Sequence, residues 1–107
     1  MSKRGVGLRI GQLDAVATRG LVFAPGHAGT VQEIFMDANQ NYYATEGLIS
    51  PMVLFDSAFW RETLPAEELL LKLAGDSHMA SMITVLDDVE EVVSWLDSHP
   101  AIRVPVQ

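Results

Sequence analysis

The apolar positions of this chain fall into short blocks whose spacing changes repeatedly, and the changes mark its elements. Leu8, Ile10, Leu13, Val16 and Ala17 approximate a helical stripe, and Gly20 stands where a C-terminal glycine is common, so the spacing predicts a helix over residues 8–19. Leu21-Val22-Phe23-Ala24 is a continuous apolar run stopped by Pro25-Gly26, as in a parallel strand buried on both faces. From Thr30 to Tyr43, Val31, Ile34, Phe35, Ala38 and Tyr42 recur at helical spacing. Glu33, Asp37, Gln40 and Asn41 are expected on the opposite, open face.

The same alternation continues. Pro51-Met52-Val53-Leu54-Phe55 predicts a second buried strand with its proline at the tolerated leading position. Residues 58–60 predict a turn. Pro65 opens and Gly75 closes a helix rich in leucine. Residues 77–82 suit one more helical turn, Ile83-Thr84-Val85-Leu86 a third strand, and Asp87-Asp88 can cap a last helix bearing Val89, Val92, Val93 and Leu96. His99-Pro100 ends that helix, and the residues beyond it are expected to form a loose tail. The predicted order α-β-α-β-α-β-α implies an α/β fold with a parallel sheet between helical layers.

Composition narrows the classes. At 107 residues the chain is expected to form one domain, short for a complete doubly wound nucleotide-binding fold. A net charge of −7 with only seven Lys and Arg argues against a DNA or RNA polymer as partner, because phosphate-backbone binding needs clustered cations. Without cysteine there are no disulfides, thiolate metal sites or cysteine nucleophiles. No apolar run approaches the ~20 residues of a membrane helix. Met1-Ser2-Lys3-Arg4 leads into glycines rather than a signal segment, so the expectation is a cytoplasmic protein without a membrane partner.

Candidate chemistry concentrates at Pro25-Gly26-His27-Ala28-Gly29-Thr30, a glycine-bearing loop between a buried strand and a helix, at the strand end where open α/β sheets bind ligands. Unpaired amides at a helix start, the positive end of the helix dipole and the Thr30 hydroxyl can hold a phosphate without lysine. On pattern alone, an ordinary strand-to-helix turn remains equally open. Glu33, one turn into the helix, is placed either to meet a sugar hydroxyl or developing positive charge beside the loop, or simply to complement the helix N-terminus. Asp37 reads as a solvated or subunit-contact residue. His27, His78 and His99 show no metal-ligand pattern, Trp60 and Trp95 read as packing residues, and Asp87, Asp88, Glu90 and Glu91 as capping residues on a wet face.

The run Pro25-Gly26-His27-Ala28-Gly29-Thr30-Val31-Gln32-Glu33 resembles the P-G-G-x-G-T-x-x-E signature of the Lonely Guy family of nucleotide phosphoribohydrolases. The similarity extends from about Leu8 to His99 and takes in Asn39-Gln40-Asn41-Tyr42-Tyr43 and Ser50-Pro51-Met52-Val53-Leu54. It implies a Rossmann-like domain, typically dimeric, that hydrolyses the N-glycosidic bond of nucleoside 5′-monophosphates to free base and ribose 5-phosphate without a cofactor or metal. By the resemblance, Gly26, His27, Ala28, Gly29 and Thr30 hold the 5′-phosphate and Glu33 is the catalytic glutamate. Arg9 is the nearest match to the family's arginine on the preceding helix, and Arg19 a weaker one.

Two departures stand out. His27 replaces the motif's second glycine, at a point where positive φ or close approach to phosphate can matter. The family's N-terminal half has no counterpart, Gly5-Val6-Gly7 lying too near the start to serve as its glycine-rich segment. The chain is therefore expected to carry the C-terminal half of the fold, about three strands flanked by helices, with an open sheet edge that favours pairing. A noncatalytic or truncated nucleotide-binding module is the alternative. Relatives are also labelled lysine decarboxylases. That chemistry needs a lysine Schiff base with pyridoxal phosphate, and the only lysines are Lys3 and Lys72, away from the loop.

Overall fold

The computed structural model describes residues 8–10, 13–15, 20–43 and 47–104. Their strands are β1 (Leu8–Ile10), β2 (Leu13–Ala15), β3 (Gly20–Phe23), β4 (Leu48–Ile49), β5 (Met52–Phe55), β6 (Ile83–Leu86) and β7 (Ile102–Arg103). The α-helices are α1 (Ala28–Tyr43), α2 (Ala66–Ala74) and α3 (Val89–Ser98). A π-helical turn, Phe59–Thr63, precedes α2, and a 3-10 turn, His78–Met82, precedes β6.

The main sheet has the order β2-β1-β3-β5-β6, in which β1, β3, β5 and β6 run parallel and β2 pairs antiparallel at the edge. Side chains alternate across it. Leu21, Phe23, Met52, Leu54, Ile83 and Val85 face α1 and α2 in the larger core, while Val22 and Val53 face Val92 and Leu96 of α3. This is the Rossmann-like three-layer arrangement that the continuous apolar runs imply: β3 is buried along its whole length, which a strand between two helical layers requires. Ser77 and Asp88 cap the 3-10 turn and α3 by accepting from Met79 N and Glu90 N.

The structure corrects the sequence reading in four places. Residues 8–10 and 13–15 are extended and paired, not helical. Leu8-Arg9-Ile10 and Leu13-Asp14-Ala15 also alternate with period two, and Gly11 is a poor helix interior residue, so strand pairing wins. Gly20 is accordingly the first residue of β3 rather than a helix stop. It passes so close to β5 that a Cβ there would stand 2.6 Å from the Pro51 carbonyl oxygen. The turn expected at residues 58–60 winds on as the π-helical turn. Beyond His99, Ile102–Arg103 is no loose tail but pairs antiparallel with Leu48–Ile49 in a small ribbon beside Met82.

The fourth correction concerns the helix face expected to be open. Asp37 and Asn41 are 2% and 1% exposed, buried within the chain itself. α1 packs on its neighbours over a wider arc because its second half also covers β4. Asn41 explains its own burial: Nδ2 donates to Ser50 O (2.9 Å) while Oδ1 accepts from Ser50 N (3.0 Å), tying α1 to the β4–β5 connection. Asn41→Ala removes both bonds from a buried strand junction and is expected to cost about 2 kcal/mol, a fall of roughly 10 °C in Tm by thermal melting.

Candidate functional site

Residues 24–27 leave the carboxyl end of β3, a central strand, and enter α1. Val31 N donates to His27 O (2.9 Å), the first bond of the helix, so His27 occupies the N-cap position and the amides of Ala28, Gly29 and Thr30 precede the helical ladder. The first turn carries no acidic side chain that would compete with an anion for those amides. His27, Ala28 and Gly29 are exposed, and Gly26, Thr30 and Glu33 are half-buried. The segment predicted to bind phosphate is therefore contiguous, and its helix-start backbone is open to solvent.

Gly26 has a specific reason to be there. A Cβ on Gly26 would collide with the Thr30 hydroxyl and stand 2.8 Å from Thr30 Cβ, so glycine is what lets Thr30 fold against the loop. Positive φ is not the reason. Among the described residues it occurs at Gly20, Gly47, Gly75 and Asp56, and at none of residues 25–30. His27 in place of a glycine thus needs no positive φ.

Two aromatic side chains brace the loop from the π-helical turn that follows the neighbouring strand β5. Trp60, fully buried, donates through Nε1 to the carbonyl of Phe23 (3.1 Å), the last residue of β3. Phe59 meets the His27 ring edge-to-face at 6.2 Å and the Trp60 ring at 4.8 Å. Both belong to the π-helical turn, which Asp56 starts. Asp56 Oδ1 accepts from Phe59 N (3.1 Å), Asp56 O accepts from Trp60 N (3.1 Å), and Asp56 itself holds φ 87°, uncommon outside glycine. Trp60 was readable from sequence as a packing residue, but not as a brace on the loop.

Asp87, expected only to cap α3, ties β6 to β5: it accepts from Ser57 N (2.7 Å) and Ser57 Oγ (2.8 Å). The backbone bond from Ser57, then the hydroxyl bond, lowers the Asp87 carboxyl below its ordinary 3.8. A depressed folded-state value means that the carboxylate supports folding above its ordinary value and that this support is lost as pH falls through the folded one. In melts from pH 6 downward, the gap between the wild type and Asp87→Asn should be constant until about pH 4, then narrow on further acidification.

The remaining predicted residues are dispersed. Arg9 lies on strand β1, paired with Asp14 and Leu21 in register, rather than on a preceding helix; Arg19 and residues 5–7 lie outside the described residues. His27, His78 and His99 occupy the loop, the 3-10 turn and the end of α3. His99 stacks on Trp95 at 4.2 Å, a local helix-end contact. Among the described residues no group of three His, Cys, Asp or Glu side chains converges as a metal site, and no helix is long and apolar enough to cross a membrane.

Fold and loop together define a Rossmann-like α/β domain with an exposed helix N-terminus at the carboxyl end of a central strand. Comparison with protein-family models, curated proteins and solved structures gives no match for the chain.

Proposed function

We propose that the chain is a Lonely Guy-like module that acts on nucleoside 5′-monophosphates in the cytoplasm. The 5′-phosphate rests on residues 26–30, and Glu33 assists rupture of the N-glycosidic bond. The observation carrying this reading is the combination at the start of α1: the amides of Ala28, Gly29 and Thr30 precede the ladder, no acid stands in the first turn, and Glu33 follows one turn later. Such a helix start attracts an anion through its backbone donors and dipole. Glu33 then lies near the sugar, where a carboxylate can accept from a hydroxyl and offset the positive charge that develops as the base departs. Water completes the reaction, giving free base and ribose 5-phosphate.

A homodimer belongs to the proposal. Tyr42, Tyr43 and Leu73 are exposed on α1 and α2 around a concavity of about 350 Å³, Leu69 is exposed one turn before Leu73, and none carries charge, whereas the chain as a whole bears −7. This neutral apolar face is where two acidic copies can meet with least repulsion.

The reading is tested by incubating the purified chain with a panel of nucleoside 5′-monophosphates and assaying ribose 5-phosphate. The expected result is release from at least one nucleotide and none from the matching nucleosides, which lack the phosphate. A folded chain that releases nothing leaves the noncatalytic alternative, a nucleotide-binding module.

A further inference from the structure

The two faces of the main sheet are covered unequally. α1 and α2 share one face, whereas among the described residues α3 alone packs on the other, over Val22 of β3 and Val53 of β5. Five strands about 4.8 Å apart outspan a single helix, which is roughly 10 Å across. Beside α3 an apolar groove of about 290 Å³ lies open, lined by residues that include Val22, Ala24, Phe55, Val89, Val93 and Leu96, with no polar side chain among them. Val89 and Val93, one turn apart on the α3 wall, are 66% and 55% exposed, an apolar pair that gains by being covered.

Charge marks the rim of this groove. α3 has three acidic residues and no basic one, and Glu90 and Asp97 stand three before and four after Val93, on the flank of the helix that borders it. Asp88 caps the same helix immediately before Val89. A second copy of this chain fits the rim poorly. α1 has no Lys or Arg, α3 has none, and α2 has only Lys72, which lies 3.3 Å from Glu68 of its own helix, so each helix would bring a neutral or acidic flank to acidic neighbours.

We propose that the groove docks an amphipathic helix of a different polypeptide, which lays apolar side chains along Val89, Val93 and Phe55 and sets Lys or Arg against the acidic flank of α3. The second helix gives this face of the sheet the two-helix cover that the other face has. Apolar anchors at helical spacing supply affinity, and the opposite charges set register and partner choice. The inference does not depend on the phosphate reading of the α1 loop.

The test is calorimetric titration of the full chain with two capped helical peptides that share one leucine stripe and carry either lysine or glutamate along its flanks. The lysine peptide should bind about tenfold more tightly than the glutamate peptide. Val89→Gln, Val93→Gln should weaken the lysine peptide about tenfold through lost apolar burial. Glu90→Lys, which touches no apolar contact, should narrow the gap between the peptides to about threefold. Leu69→Gln, Leu73→Gln, on the opposite side of the sheet, should leave both affinities unchanged. All five positions are exposed, and circular dichroism checks that each variant folds. Equal affinity for the two peptides, or binding lost in the Leu69 and Leu73 variant instead, overturns the proposal. Sedimentation gives the remaining outcome: if Val89→Gln, Val93→Gln abolishes self-association, a second copy fills the groove and the proposal fails.

Discussion

Trp60→Ala will be the most destabilising single substitution among the described core positions, by about 4 kcal/mol in chemical denaturation. Trp60 heads the fully buried side chains by volume, and it packs among Phe23, Leu54 and Leu70 in the larger core. Truncation opens a cavity between β3, β5 and α2 and removes the indole bond to the Phe23 carbonyl. Domains of this size hold only about 5–15 kcal/mol of net stability, so the variant will be partly unfolded near physiological temperature. Trp60→Phe keeps most of the volume and loses the bond, and should recover more than half of the deficit. If the two variants were equally unstable, the hydrogen bond rather than the packing would dominate.

Glu33→Ala will have the opposite profile: ribose 5-phosphate release falls about 10²–10³-fold while stability changes by less than about 1 kcal/mol. The side chain is half-buried on α1 and outside the hydrophobic core, so its removal opens no apolar cavity. Its proposed work belongs to the transition state, and the loss should therefore appear in kcat with little change in KM. Glu33→Gln distinguishes charge from contact. Retained binding with lost turnover assigns the role to the carboxylate charge, whereas full activity in either variant removes Glu33 from the mechanism.

The two variants separate what was legible in the sequence from what was not. β3 and β5 were readable because a parallel strand between two helical layers leaves an uninterrupted apolar run, and β6, at the sheet edge, because Ile83, Val85 and Leu86 stand together around Thr84 between turn residues. α2 and α3 were readable from their local start and stop signals, Pro65 and Gly75 for one and Asp88 for the other. The stretch from residue 8 misled because Leu8, Ile10 and Leu13 fit a helical stripe and a strand alternation at once, and only the pairing of β1 with β3 and β2 decides between them. The β4–β7 ribbon has two residues per strand, too few for any period to register. Likewise, the burial of Asp37 and Asn41 depends on what covers α1, which helical spacing does not encode.

The candidate site divides along the same line. Its loop was visible because the glycines, Thr30 and Glu33 are consecutive, and a helix start is a local structure. Its supports were not. Trp60 lies 37 residues from Phe23, and Asp87 lies 30 from Ser57; each contact exists only because the sheet brings the carboxyl ends of neighbouring strands together. A tryptophan five residues beyond an apolar strand, or an aspartate at the end of the next one, carries no local mark of its partner. The long-range bonds tie β3 to the π-helical turn and β5 to β6, and so set the position of the strand ends that frame the loop.

The most direct test of the account is a two-dimensional amide NMR titration of the wild type with a nucleoside 5′-monophosphate, read at Ala28, Gly29 and Thr30. The predicted result is a saturable shift centred on those three amides, lost in Gly26→Val, whose side chain would occupy the place of the Thr30 hydroxyl. Shifts confined to other parts of the chain, or none at millimolar nucleotide, would contradict a phosphate site at the start of α1.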